Sequence, residues 1–322
     1  ESVSLALSGI RTRVCAPILN RERRPVGILQ LDAQDSSHPF VGSDLELLLA
    51  MLGPIGVAVE NACMHEEILK RRQRDRDVYY ARAVQRALLP EHPPRPPGYT
   101  FWYYYVSAYE VGGDYFGYLP PATISDDSLG RGWKIALGGV AGKSMSAALL
   151  TAKLSAEVQN ALASEPNSVR VLDHLNHRIA EADLPDSFIT FLLLMLDTDQ
   201  HRLWIASAGH PCPVIRRADG TVEMLEGVPQ GAPLGVLPES EIDPVPVDLN
   251  PGDVVVLYSD GVTDAVNPQE AMFGTKALLQ AIANGPGQPD LLGPALIDHI
   301  HAFSDAAPQA DDITLICFGR DD

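Results

Sequence analysis

The sequence predicts a chain of mixed α and β structure, in which strands end in acidic turns and helices pack beside them. Three observations predict this class. Short apolar runs are bounded by turn signals, as where Pro251-Gly252-Asp253 precedes residues 254–257 and Ser259-Asp260-Gly261 follows them. Residues 145–162 place Leu149, Leu150, Leu154 and Val158 at helical spacing. Residues 58–89 contain neither Gly nor Pro and carry scattered apolar side chains, which predicts one long helix.

With 322 residues, 46% hydrophobic and 20% charged, the chain can bury one full domain and a smaller part. Its four cysteines, Cys15, Cys63, Cys212 and Cys317, form no Cys-x-x-Cys pair. That argues against a zinc site and a disulfide framework, and it points to a reducing cytoplasm. No secretory signal pattern opens the sequence. The longest apolar runs, 47–59 and 189–196, are expected to be too short to span a bilayer, and Gly53-Pro54 and Gly56 interrupt the first. The formal charge of −18 is uneven: residues 1–98 hold 13 Lys and Arg against 12 Asp and Glu, and residues 99–322 hold 11 against 30. So acidic a surface disfavours nucleic acid and anionic membrane, and it lets acidic loops gather cations.

Residues 13–19 and 26–31 read as strands joined by the polar turn 20–25. Ser43 as N-cap, with Glu46 completing a capping box, opens a helix whose apolar face is Leu47, Leu48, Met51 and Leu52. In the long helix that follows, the basic run Lys70-Arg71-Arg72-Gln73-Arg74 is interrupted by Asp75 and Asp77 and reads as a solvated face. This helix is too thinly apolar to stand alone and is expected to pair with a second copy, as a dimerising linker. PEHPPRPP at 90–97 stops it. The predicted organisation is a segment 1–58, a helical linker 59–90 and a domain 91–322.

The domain opens with the aromatic run 99–106, followed by Glu110-Val-Gly-Gly-Asp114, where the glycine pair lets both carboxylates face one point. Residues 133–137 read as a strand running into Gly138-Gly139-Val140-Ala141-Gly142-Lys143-Ser144, with Ser144 or Ser146 capping the next helix. This loop does not fit a nucleotide P-loop, because the glycine required five residues before Gly142 is Leu137. Residues 169–180 are helical. Residues 188–196 form a strand apolar enough to be buried on both faces, and 197–201 turn it into 202–206. His210, in a Gly-His-Pro turn, reads as structural rather than as a general acid. Helices follow near 276–283 and 291–303, and Ala310-Asp311-Asp312 leads into a closing strand at 313–318.

Three acidic turns, Glu110/Asp114, Asp260 and Asp311/Asp312, thus border predicted strands with no His or Cys ligand nearby. Oxygen-only ligation points to magnesium or manganese. In a chain without a nucleotide loop, such a cluster suits metal-activated water attacking a phosphoester.

Seven ordered motifs resemble the metal-dependent protein phosphatases of type 2C (PPM), in their bacterial sporulation and stress-response branch. They are QRALLP at 85–90, EVGGDYF at 110–116, the segment 135–152, ASAGHPCPVI at 206–215, APLG at 232–235, LNPGDVVVLYSDGVTDAVN at 249–267 and ADDITLI at 310–316. The resemblance implies an α+β fold, an αββα sandwich of two antiparallel sheets flanked by helices. It also implies a two-metal centre of Mn2+ or Mg2+ whose bridging water attacks a phosphoserine or phosphothreonine. Carried over by position, Asp114, Asp260 and Asp311 match catalytic metal residues, and Glu110 and Asp312 lie beside them. The implied partner is a phosphorylated regulatory protein like an anti-sigma-factor antagonist. Ahead of this domain, PILNRERRPVGILQLDAQD, PFVGSDLELL and AVEN resemble the C-terminal part of a GAF domain, an α/β module, without the half that would close a ligand pocket.

The resemblance departs at one loop. The family pattern there is Gly-Asp-Val-x-Gly-Lys-Gly, with its Asp bridging both metals; here that position is Gly139, and the final glycine is Ser144. Two divalent cations about 4 Å apart repel by roughly 17 kcal/mol at an effective dielectric of about 20, so a bridging anion is essential. Gly139 supplies none, and weak metal occupancy with a large loss of activity is expected. Two readings remain: a phosphoprotein phosphatase of weakened or lost activity controlled through the linker, and a non-catalytic phosphatase-like module that binds a phosphoprotein.

Overall fold

The computed structural model describes residues 10, 12–34, 40–121, 132–142, 145–164, 168–181, 188–237, 242–305 and 307–321. The chain divides into two compact units, Glu1–Asp77 and Val78–Asp322. In the first, β1 (Thr12–Leu19) and β2 (Pro25–Ala33) pair antiparallel. The Asn20 side chain closes their turn by accepting the Glu22 and Arg24 N–H groups. Ala16, Leu48 and Leu52 form a small core.

Helix α1 (Gly42–Ala87) runs for 46 residues, so the helices expected from 43 and from 58 are one. Its start also differs from expectation. Asp44 Oδ2 accepts the Val41 N–H at 2.9 Å, which puts the cap two residues before Ser43. Pro54 lies inside the helix and offers no N–H to the carbonyl four residues back, that of the exposed Ala50. Gly56 has a packing reason: a Cβ there would collide with the Leu19 carbonyl. Because the helix runs unbroken through this stretch, the expectation that its apolar run is too short is corrected. An 18-residue window of α1 is long and apolar enough to cross a membrane by length and composition, and 17% of that window is buried.

In the second unit two sheets pack face to face. One is ordered β3 (Tyr99–Val106), β13 (Ile313–Arg320), β12 (Val254–Tyr258), β8 (Val214–Arg216), β9 (Val222–Met224), every pair antiparallel. The other is ordered β10 (Gln230–Gly231), β7 (Arg202–Ala208), β6 (Ile189–Asp197), β5 (Trp133–Val140), β4 (Asp114–Leu119), with β11 (Val245–Asp248) also on β7. Its pairs are antiparallel except the two-residue β10–β7 contact.

Side-chain alternation sets the layers. On β12, Val255 and Leu257 join the core that holds Ile135, Leu137 and Phe116 of the other sheet. Val254, Val256 and Tyr258 point the other way, to Leu278 of α5 (Gly274–Asn284) and Leu292 and Leu296 of α6 (Pro289–Ser304). Leu150, Leu154 and Val158 of α2 (Met145–Ser164) and Leu172 and Leu175 of α3 (Ser168–Ala180) are buried with the second sheet. The result is the expected αββα sandwich. Each such fully buried aliphatic or aromatic side chain contributes about 1.5–3 kcal/mol of transfer free energy.

One boundary changes the meaning of the glycine-rich segment. Strand β5 continues to Val140, so Gly138 and Gly139 are not loop residues but ladder residues opposite Tyr115 and Asp114. Gly138 is extended by its pairing in the sheet, and it is glycine because Phe191 fills the space a side chain would need. Lys143 and Ser144 lie outside the described residues, and Ser146 is inside α2 rather than at its cap.

Candidate functional site

Strand ends from both sheets converge on a cavity of about 240 Å³, whose walls include Asp114, Gly139, Thr190, Asp260, Asp311 and Asp312. Asp114 is the first residue of β4 and only 5% exposed. Its Oδ2 accepts the Thr314 hydroxyl at 2.5 Å. Burial pushes its carboxyl well above the usual carboxylate range, and the charges of Asp312 and Asp260 push the same way.

Asp260 leaves the buried strand β12 and opens the single turn α4 (Asp260–Thr263). Desolvation raises its carboxyl, and the neighbouring Asp311 and Asp264 add to the rise. Gly261 is what brings this turn to the start of β13, because a Cβ there would collide with the Asp312 carbonyl. Ser259 fastens the junction, its hydroxyl donating to Asp312 O at 3.1 Å and accepting the Thr314 N–H at 3.0 Å. Asp311 stands exposed on the rim, with Oδ1 accepting the Asp312 N–H at 2.9 Å.

Asp312 reaches the cavity wall, yet its carboxylate serves the main chain. Oδ1 accepts the Ala108 N–H at 2.8 Å, and Oδ2 accepts those of Gly113 at 2.5 Å and Asp114 at 3.2 Å. It therefore ties the loop before β4 to the beginning of β13. Glu110 is exposed and does not line the cavity. The expectation that both carboxylates of 110–114 face one point is corrected, because the anchored glycine pair carries Asp114 inward and leaves Glu110 outside.

Three polar residues beyond the predicted set belong to the site. Thr314 holds Asp114, and Thr190 Oγ1 lies 3.0 Å from His210 Nδ1 and 3.3 Å from both the N and O of Gly139. Gln85 pairs with Gly112. Thr190 had a signal in the sequence as a lone hydroxyl in an otherwise apolar strand. His210 is 3% exposed, and burial lowers its pKa to about 3, so it is neutral and fits the structural reading.

The oxygen donors suit a hard cation, and Asp260 and Asp311, whose charges oppose each other, would both gain from one. A bridged pair is another matter. Among the described residues no group of three or more His, Cys, Asp or Glu is disposed to hold a metal, and Gly139 presents only backbone opposite Asp114. Asp260 and Asp311 would supply carboxylate oxygens to a divalent cation there, and Gly139 would add none. A larger cavity of about 640 Å³, lined by Arg82, Arg86, Tyr103 and Tyr105 among others, contains none of these aspartates.

A family profile described as Stage II sporulation protein E (SpoIIE) matches residues 130–321, taking in Gly139, Asp260, Asp311 and Asp312. The chain is 27% identical over 231 residues to phosphoserine phosphatase RsbU of Bacillus subtilis (strain 168), covering 70% of this chain and 66% of that one. It is 31% identical over 137 residues to protein IcfG of Synechocystis sp., covering 41% and 21%. The chain thus spans less than two thirds of either relative's length. Its fold is similar to the SiaA-PP2C domain of Pseudomonas aeruginosa, with a TM-score of 0.66 at 21% identity over 78% of this chain and 99% of that one. It is also similar to the catalytic domain of the serine/threonine phosphatase PstP in complex with 2 manganese ions, with a TM-score of 0.50 at 16% identity over 70% and 99%. Since the profile covers more than half of its residues, the chain belongs to the SpoIIE family.

Proposed function

We propose that this is a bacterial signalling domain of the metal-dependent phosphoserine/phosphothreonine phosphatase type, with hydrolytic activity weakened or lost, that engages a phosphorylated regulatory protein of the anti-sigma-factor-antagonist kind. One observation carries the reading: Gly139 is paired with Asp114 across β4 and β5 and brings no anion to the place of the bridging aspartate. The name of RsbU supports phosphoserine as substrate class, and the manganese of PstP supports Mn2+ or Mg2+. In this family the metals supply an activated water. Here Asp260 and Asp311 would hold a divalent cation, Asp114 would act on it directly or through its waters, and Asp312 would keep the loop in place.

The same glycine also favours the second reading, a non-catalytic module that binds the phosphoprotein. Turnover of an aryl phosphate across a wide manganese range, measured beside binding of a phosphorylated protein, separates the two. We expect little or no turnover from the native chain and a gain from Gly139→Asp. Equal, high turnover from both proteins would overturn the impaired centre.

In the same reading, residues 1–58 are the end of a GAF-like sensory module, 59–90 a dimerising linker and 91–322 the phosphatase-type domain, working in the cytoplasm. The exposed Met64, Ile68, Leu69, Tyr79, Tyr80 and Val84 support a paired helix.

A further inference from the structure

We propose that Gln85 is a positioning residue for the loop that carries Asp114. Its side chain is 6% exposed, although it sits on a helix whose neighbours Arg82, Ala83, Val84 and Arg86 are all exposed. Both ends of its carboxamide are spent on one residue. Nε2 donates to the Gly112 carbonyl at 2.6 Å, and Oε1 accepts the Gly112 N–H at 2.9 Å. The side chain thus imitates a strand partner, pairing the donor and the acceptor of a single residue as a ladder would. Only glycine fits at 112 in this seat, because a Cβ there would collide with Tyr105 Oη and Asp312 Oδ2.

The next residues are held from other elements. The Gly113 carbonyl accepts the Thr151 hydroxyl at 3.0 Å and the Val140 N–H at 3.1 Å, and Asp312 takes the Gly113 and Asp114 N–H groups. Of three successive peptide units, the first is fixed by α1 and the others by α2, β5 and Asp312. Asp114 is two residues from the Gln85 clamp, so its approach to Asp260 and Asp311 depends on where α1 holds Gly112. An apolar residue at 85 would leave the N–H and C=O of Gly112 unpaired in a buried setting, which the loop can relieve only by moving.

Gln85→Met in the full chain tests this, since Met keeps the length and the helix propensity while losing both hydrogen bonds. Hydrogen exchange reads the clamp without any metal. The Gly112 amide should exchange at least about tenfold faster in the variant, while the Ile135 and Leu137 amides of β5 stay as they were. The second readout is manganese titration in the Gly139→Asp background, and this arm rests on the metal-centre reading given under Proposed function. Half-saturating manganese should rise by about tenfold with the turnover number at saturating metal retained, a split that simple loss of stability does not produce. Unchanged exchange at Gly112 overturns the proposal, as does unchanged half-saturation in a chain that binds manganese. If the Gly139→Asp chain binds no manganese with Gln85 intact, the metal-centre reading falls, and the exchange result alone decides the role of Gln85.

Discussion

A side chain at position 139 would start from a backbone that L residues adopt readily, since Gly139 is absent from the positive-φ glycines that include Gly142 at 121°. Its Cβ would lie 3.2 Å from Thr190 Oγ1 and 3.4 Å from Asp114 Oδ1. The first contact is tight, but a hydroxyl can yield by a few tenths of an ångström. Gly139→Asp is therefore expected to fold and to raise manganese-dependent turnover by about a hundredfold or more, with Asp260→Asn abolishing the gain. The added carboxylate faces a buried one, so the variant should melt lower than the native chain in chelator and gain more from manganese. If it binds manganese no better than the native chain, the missing ligand position lies elsewhere. His210 permits a prediction about acid. Its folded pKa of about 3 lies below the unfolded value near 6.5, so below pH 6.5 the unfolded chain takes up a proton that the folded chain refuses. This residue alone removes about 1.4 kcal/mol of stability per pH unit between those values. The raised carboxylates of Asp114, Asp260 and Asp312 act with the opposite sign, and the difference between native and His210→Gln in urea unfolding at pH 7 and pH 5 isolates the histidine. A variant with the same pH slope as the native chain would contradict this.

At the scale of elements, the contact between the end of β12 and the start of β13 passes through Gly261, where the opposing atoms are backbone and cannot swing aside. Gly261→Ala should cost about 1–3 kcal/mol in denaturant unfolding and weaken metal binding in the Gly139→Asp background. Gly227→Ala, with open space around its Cβ, should be neutral in both measurements. The same junction shows what could be read in advance. Strands β3, β6, β12 and β13 and helices α2, α3, α5 and α6 were legible because their apolar periodicity is strong and turn residues bound them. Asp114, Asp260 and Asp311 were legible because each borders such a run. Strands β9, β10 and β11 were not, being two to four residues long and only partly buried, so that their pairing comes from tertiary contact. The end of β5 was misplaced because Gly138-Gly139 has the composition of a loop, while its ladder is dictated by β4. Thr314 escaped because its partner Asp114 stands 200 positions away in sequence.

For the whole molecule, the exposed apolar side chains along residues 64–84 of α1 predict self-association. Light scattering should give twice the chain mass for the native protein, and Ile68→Glu with Leu69→Glu should shift it to the single-chain mass. A native protein already at the single-chain mass would refute the pairing. Within the second unit, Asp114 belongs to one sheet, while Asp260 and Asp311 extend from the strands of the other. A cation held by all three would sit astride the seam where the layers interlock through Leu137, Phe116, Leu257 and Phe318. The bonds from Asp312 to the Gly113 and Asp114 N–H groups and from Thr314 to Asp114 cross this seam, so the spacing of the aspartates is tied to the seating of one layer on the other. A cation bound there would act as a caliper on the sandwich, its jaws set by how the two layers are seated on each other.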